Sequence, residues 1–444
     1  MIEWQDNSEY LLSDQVEHLR PLANRPLSSL LNERDDNLLV FPLSFQECED
    51  RIGEQHLFDL EPRKKGYIAK TGNLAGFIGI NDLQITIHSR FSEKEAKEDY
   101  FLHYMLQKVL SVNLFDLKHT TTNEQVLDFL FYLFPYYLKN ALSQGLYKAY
   151  ERKEYNDANA RGTIDINRHI KTNVPFNGRV AYRTREFSHD NNLTQLIRHT
   201  IEYIRTRKIG NALLQNDPDT QAYVSQIILA TPTYKKQDKL KVIQNNQKIT
   251  HHPYFTKYAP LQKLCLKILN HEHLKYGKEK DKVFGLLFDV AWLWEEYLAT
   301  LLTRQGFKHP DNRRKTNGVW LGFHKTENHK NNAFLRFPDF YDQEPDGIII
   351  DAKYKHKIND VADVNQIITY LYRLKGRLGL FIQPSINPDD SRSYALRGYG
   401  IDQNAHLIKY QIPIPTNQTS YKAFVMKMRS LEHTIKMTLD HYRL

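Results

Sequence analysis

Residues 334–355, FLRFPDFYDQEPDGIIIDAKYK, constrain this chain more than any other stretch. Pro338-Asp339 is followed by a polar bend, and an apolar run, Ile348-Ile349-Ile350, leads into Asp351-Ala352-Lys353. In Gln343-Glu344-Pro345-Asp346-Gly347 the Pro, Asp and Gly stand where a turn uses them, so the pattern predicts a hairpin of strands 334–340 and 347–354. Side chains alternate across a strand, which sets Asp351 and Lys353 on one face and Ile350 and Ala352 on the other. Asp339, on the neighbouring strand, reaches the face of Asp351. Two carboxylates and an ammonium at one sheet edge can hold a hard divalent cation and a phosphodiester. The carboxylates suit Mg²⁺, and the lysine positions or deprotonates the attacking water. The bland reading is a surface hairpin, because P-D and D-x-K often occur by chance. Glu344 and Asp346 read most simply as turn residues, and His356 has no assigned role.

The order of elements around the motif lifts it above chance. A helix is expected over 290–304, with Val290, Leu293, Trp294, Tyr297, Leu298 and Leu301 on its apolar face and Glu295 and Glu296 at its middle. After the hairpin comes a helix beginning near Asp363, where Asp363-Val364-Asn365-Gln366 has capping-box spacing. Gln366 and Tyr370 share one face of it. Strands at 378–383 and 407–412 and a terminal helix from Tyr421 complete the pattern. This α-β-β-α-β order resembles the core of the PD-(D/E)xK nucleases. The resemblance implies Asp339, Asp351 and the Ala352 carbonyl as Mg²⁺ ligands, with Mn²⁺ as a substitute. Lys353 would stabilise charge or orient water, Glu295 would be an outer ligand or base, and Gln366 and Tyr370 would buttress the site.

The preceding chain divides by pattern. Residues 1–95 read as a β-rich N-terminal domain, with strands at 37–41 and 67–70 and a strand–turn–strand over 76–88. From Lys94 the period turns helical through Tyr100, Leu102, Met105, Leu106 and Val109, and a long apolar helix is expected from Gln125 to about Tyr150. Its aromatics, Phe131 and Phe134 among them, read as core at that spacing. Residues 96–280 are thus a mainly helical middle region, with a strand at Val180-Ala181-Tyr182 and a helix capped by Asp190 or Asn191. There Arg161, Arg183 and Arg185 could contact phosphate, or equally form a solvated face with salt bridges to Asp165 and Glu186. Lys235 to Lys241 reads as a basic linker, a helix covers 260–272, and the charged run 277–282 marks a boundary before the α/β nuclease domain at 281–444.

Composition excludes several classes. The chain has 444 residues, 41% of them hydrophobic, so it is globular with more than one core. Its +9 net charge mildly favours a polyanionic partner. No apolar run approaches the ~20 residues that span a bilayer, so a soluble, cytoplasmic protein with no membrane partner is expected. Cys48 and Cys265 suit a reducing compartment and build no zinc cluster. No Gly-x-x-x-x-Gly-Lys-[Ser/Thr] loop occurs, so no nucleotide should be bound by this chain itself.

Taken together, the chain resembles the McrC family, the nuclease subunit of McrBC-type modification-dependent restriction systems. The likeness rests on Gly162-Thr163-Ile164-Asp165 through Arg185-Glu186-Phe187 and Asp190-Asn191, on the helix around Trp294-Glu295, on Pro338-Asp339 with Asp351-Ala352-Lys353, and on Asp363-x-x-Gln366-x-x-x-Tyr370. It implies a Mg²⁺-dependent DNA endonuclease subunit of a 5-methylcytosine-type restriction complex. It further implies a hexameric McrB-like AAA+ GTPase partner, engaged and stimulated through the N-terminal region, and double-stranded DNA as substrate. Self-association through the nuclease domain is an open arrangement. Two alternatives stand beside this: a non-catalytic adaptor that activates an NTPase, and a standalone DNA-repair nuclease of the same fold.

Overall fold

The computed structural model describes residues 2–13, 16–33, 38–42, 51–80, 83–92, 99–110, 123–207, 210–215, 217–274, 283–312, 315–325, 330–344, 346–355, 358–388, 392–397 and 405–443. Asn37, Cys48, the Asn81-Asp82 turn, Lys94, the 277–282 run, Pro345 and His356 lie outside them. The chain forms two compact units: residues 1–114 with 279–444, and residues 115–278. This partition differs from the three consecutive segments expected from sequence, and strand pairing shows why.

In the first unit the N-terminal segment supplies β1 (Ile2–Gln5), β2 (Glu9–Leu12), α1 (Leu27–Glu33), β3 (Leu38–Phe41), β4 (Phe58–Pro62), β5 (Tyr67–Thr71), β6 (Leu74–Ile80), β7 (Leu83–His88) and α2 (Tyr100–Leu110). Among the described residues the expected strands are present at Leu38–Phe41, Tyr67–Thr71, Leu74–Ile80 and Leu83–His88. Leu83-Gln84-Ile85-Thr86-Ile87-His88 buries Ile85 and Ile87, as its alternation dictates. Strands β2, β5 and β4 form one sheet, and β1, β7, β6 and β3 belong to another.

The insert follows with α3 (Asn123–Leu142), β8 (Ala149–Asp157), β9 (Thr163–Ile164), α4 (Ile166–Asn173), β10 (Val180–Ser188) and α5 (Asn192–Arg205). It continues with α6 (Gly210–Leu214), α7 (Pro218–Ala230), α8 (Lys239–Asn245) and α9 (Tyr258–Leu274). Two expectations are corrected here. The long helix stops at Leu142, and 149–157 is a strand paired with β10 along its whole length. Its burial alternates strictly, a period-2 signal in AYERKEYND that polar residues disguise. The 235–241 run is a 3₁₀ turn leading into α8 and is not a linker, because Val242 and Ile243 give it a buried face. Phe131 and Phe134 are fully buried, as core aromatics.

Asn191 caps α5, accepting from Leu193 N (3.1 Å) and Thr194 N (3.2 Å) while Thr194 returns the capping box. Its amide also donates to the Ser188 and His189 carbonyls, and the residue is 3% exposed. Asn191→Ala should therefore cost about 2 kcal/mol, a lost cap plus unsatisfied buried groups, read as a lower chemical-denaturation midpoint.

The first unit resumes with β11 (Val283–Asp289), α10 (Val290–Leu302), β12 (Val319–Lys325), β13 (Lys330–Arg336), β14 (Phe340–Tyr341) and β15 (Ile348–Ala352). It ends with α11 (Ala362–Leu374), β16 (Leu378–Ser385), β17 (Arg392–Ala395), β18 (His406–Pro413) and α12 (Tyr421–Arg443). Strand β11 enters the N-terminal sheet between β6 and β3, giving the order β1-β7-β6-β11-β3. The two segments therefore share a core in which Leu287 packs with Trp4, Ile78 and Ile85. Gly76 permits the close approach: at φ +132° a Cβ there would meet the Leu286 carbonyl oxygen. A boundary at 281 would cut this sheet, so the sequence division between first and last segments does not describe the fold. The second five-stranded sheet runs β14-β15-β16-β18-β17, with β15, β16 and β18 parallel and α11 as a crossover.

Candidate active site

The local chain builds the site from β15 outward. Ile348-Ile349-Ile350 is buried on both faces, as a central strand requires, and fixes the register that follows. Pairing of Phe340 with Ile350 and Tyr341 with Ile349, carried one residue further, sets Asp339 opposite Asp351. The expected hairpin is thus present, but its first strand is corrected. Residues 330–336 leave to pair with β12 in a separate two-stranded sheet, and only Phe340 and Tyr341 pair with β15. Phe337-Pro338-Asp339 is the crossing between them. It is pinned where the Tyr370 hydroxyl donates to the Phe337 carbonyl at 3.2 Å.

The structure brings Asp339, Asp351 and Lys353 together. Asp351 is 1% exposed, and Lys353 Nζ lies 2.7 Å from its Oδ2. That contact compensates Oδ2, while Asp351 Oδ1 is buried with no hydrogen-bond partner. Asp339 Oδ2 accepts from Ala352 N at 2.7 Å, which ties the first carboxylate to the strand bearing the second. His309 Nδ1 sits 2.7 Å from the Asp339 carbonyl oxygen, and its ring stacks on Phe340. Burial pushes the Asp339 carboxyl up to about 7, reinforced by the Glu295 charge and opposed by Lys353. Asp351 is likewise pushed up to about 7 by burial and then by Asp339, again against Lys353. For Lys353, burial works to lower the value, but Asp351 and Asp339 outweigh it and hold the ammonium above its ordinary range.

The supporting residues fall close to their expected places. Asp289 Oδ1 caps α10 by accepting from Trp292 N at 2.8 Å, so β11 feeds directly into the helix that carries Glu295. Fully buried Trp294 donates from Nε1 to the Ile382 carbonyl at 3.3 Å, fixing α10 to β16 beside Ala352. Gln366 Nε2 donates to the Tyr370 hydroxyl at 3.3 Å, one helical turn away. Asp363 is not the cap of α11. Asn359 accepts from Val361 N and Ala362 N, while Asp363 Oδ1 lies 3.6 Å from Lys353 Nζ and Oδ2 2.5 Å from Lys355 Nζ. Capping-box spacing hid that role, and the only sequence signal was an acid downstream of two alternating lysines. The three arginines belong to the insert. Arg183 pairs with Glu154 at 3.0 Å and with Asp165, Arg185 stacks on Tyr150 at 4.7 Å, and Arg161 is exposed.

The donor set fits a hard divalent cation better than a soft one. Asp351 Oδ1, buried without a hydrogen-bond partner, can take a cation, and an adjacent carboxylate already oriented by a backbone amide supplies a second oxygen ligand. Among the described residues no three His, Cys, Asp or Glu side chains converge as a metal cluster, so water and a backbone carbonyl would complete the shell. Cys265 is buried and unpaired, and plays no part in this donor set.

The family comparison agrees with the expected family. The family model described as McrBC 5-methylcytosine restriction system component matches residues 69–384, more than half of the chain. No curated protein matches. Among solved structures, the refined half-complex from a tetradecameric assembly of Thermococcus gammatolerans McrB AAA+ hexamers with bound McrC is similar at 14% identity and a TM-score of 0.42. The likeness covers 97% of this chain and 99% of that one. The Thermococcus gammatolerans McrBC complex solved by cryo-EM is similar at 13% identity and a TM-score of 0.30, covering 70% and 89%.

Proposed function

Since the chain belongs to the McrBC family of 5-methylcytosine restriction system components, we propose that it is the endonuclease subunit of such a system, hydrolysing DNA phosphodiesters with Mg²⁺. One observation carries the reading: Asp351 is buried with no hydrogen-bond partner at Oδ1, between the ammonium of Lys353, just past its own strand, and an aspartate oriented by the Ala352 amide. Together with α10, β14–β15, α11 and β16, these residues make a PD-(D/E)xK core. Mg²⁺, with Mn²⁺ as a substitute, would acidify a water and neutralise charge on the phosphate. Asp339 and Asp351 would hold it, with the Ala352 carbonyl. Lys353 keeps a fixed positive charge against the developing phosphorane, Glu295 adds a carboxylate from the preceding helix, and the Gln366–Tyr370 pair holds the Phe337–Asp339 crossing in place. The partner is a McrB-like AAA+ GTPase, stimulated through the β-rich N-terminal segment. Arg161 and Arg185 remain candidate DNA or partner contacts, and Arg183 serves better as the counter-ion of Glu154 and Asp165.

Cleavage of methylated and unmethylated plasmid tests this, with Mg²⁺ and with or without the protein encoded beside this one and GTP. Cutting that needs all of them supports the reading, and cutting by the chain alone supports a standalone nuclease. No cutting alongside stimulated nucleotide hydrolysis would leave only an adaptor.

The raised carboxyls also make a thermodynamic prediction. In the metal-free fold Asp339 and Asp351 bind protons more tightly than in the unfolded chain. Their contribution therefore favours folding at low pH and is lost as pH rises from the ordinary carboxyl range through about 7. A cation replaces those protons. The melting-temperature gain from Ca²⁺, which occupies oxygen sites, should consequently be larger at pH 8 than at pH 5.5. Equal gains at both would contradict cation binding by this pair.

A further inference from the structure

A cavity of about 240 Å³ opens beside the carboxyl ends of the parallel strands β16 and β18. Arg90, Phe91, Gln383, Ser385, Asn387 and Gln411 line it, and among the described lining residues there is no carboxylate. Arg90 is 7% exposed, and its Nη1, closed off from solvent, has no hydrogen-bond partner. Its other contacts fix it firmly: Nη2 donates to the Tyr354 carbonyl, and the guanidinium lies 4.3 Å over the Tyr354 ring and 4.9 Å from that of Phe91. The charged neighbour on its own side is Asp6, whose Oδ1 accepts from Arg90 N at 2.7 Å. Burial pushes the Asp6 carboxyl up to about 7, so near neutrality it only partly offsets the guanidinium. A largely buried cation at the wall of a cavity that also presents three side-chain amides and a hydroxyl, beside Phe91, Pro384 and Ile386, suits an oxyanion.

The position says which oxyanion. Arg90 is clamped to the residue after Lys353, and Gln383 Nε2 donates to the Lys355 carbonyl at 2.9 Å. Asp351 pairs with Phe381, so Gln383 and Ser385 stand roughly 7–13 Å further along the same sheet end. Crevices at the carboxyl ends of parallel strands are where open α/β sheets take ligands. We propose that this cavity is an anion subsite for a phosphate flanking the scissile one, on the nucleic-acid strand held at Asp351. The assignment of the strand rests on the nuclease reading above; the anion chemistry does not.

Inorganic phosphate, titrated into the full-length protein against sodium chloride of equal ionic strength, tests the anion chemistry. Wild type should bind it calorimetrically and melt higher in its presence. Ser385→Glu, which sets a carboxylate in the cavity, should abolish both effects. Arg90→Lys, which keeps the charge but loses the forked donors, should weaken binding about tenfold. No phosphate effect in wild type, or an undiminished one in Ser385→Glu, overturns the subsite. With the complete restriction complex, Ser385→Glu should raise KM for DNA about tenfold and change kcat little, because the contact is made equally in ground and transition states. Lost phosphate binding with unchanged KM overturns the assignment to the nucleic-acid strand. Asp351→Asn separates the two readings, since it should abolish cleavage and leave phosphate binding intact. Cleavage that survives that change counts against the nuclease reading alone.

Discussion

Asp351→Asn is expected to reduce DNA cleavage by on the order of a thousandfold or more while leaving the protein folded. The side chain keeps its shape, and the environment tolerates a neutral group: burial, and then Asp339, already push this carboxyl up to about 7. Loss of the Lys353 ion pair at 2.7 Å is offset in part because Asp363 remains 3.6 Å from the ammonium. The melting temperature of the metal-free protein at pH 8 should therefore hold or rise, and the Ca²⁺-induced gain should vanish. Stimulation of GTP hydrolysis in the partner should persist, since the substitution lies in the sheet around β15 and not in the N-terminal segment. Cleavage retained in a purified variant would remove Asp351 from the reaction. A melting temperature several degrees lower, with cleavage lost, would mean a structural role.

Much of this site could be read in the sequence because its determinants are local. Ile348-Ile349-Ile350, β-branched and preceded by the turn residues Pro345-Asp346-Gly347, reads as a buried strand, and period-2 alternation then places Asp351 and Lys353 together without tertiary information. The pairing of Gln366 with Tyr370 likewise follows from one helical turn, and side-chain chemistry narrows the cap of α5 to Asp190 or Asn191, of which the fold uses Asn191. What escaped depends on long-range pairing. Nothing near Val283–Asp289 says that it joins β6 and β3, some 200 residues earlier in sequence, because strand partners are chosen by complementary surfaces and not by neighbours. The shortening of the hairpin's first strand has the same origin: Phe334-Leu335 can serve either neighbour, and only the competing partner β12 decides where they go. Asp363 was misread because capping and ion pairing use the same short acid, and Lys353 and Lys355 settled which it does.

Lys353→Met should reduce cleavage by roughly a hundredfold to ten-thousandfold and, unlike Asp351→Asn, strengthen cation binding. Methionine approximates the length and apolar stem of lysine but removes the only cation within ion-pair distance of Asp351 among the described residues. Asp339 and Asp351 then face each other with less compensation, which favours either protons or a metal ion. The Ca²⁺-induced gain in melting temperature should exceed that of wild type. In the absence of metal the variant should melt lower at pH 8 and recover at pH 6, where the carboxyls take up protons. The same electrostatics decide which part the lysine plays. In the metal-free fold neighbouring carboxylates hold its ammonium above the ordinary lysine range, which favours the proposed role of fixed charge over that of general base. On the proposed reading it acts as a fixed charge and hydrogen-bond donor. The wild-type pH–rate profile should accordingly show no limb attributable to Lys353. Arginine at 353 should restore part of the rate, since charge is what counts, whereas a lysine serving as general base would leave arginine as inactive as methionine.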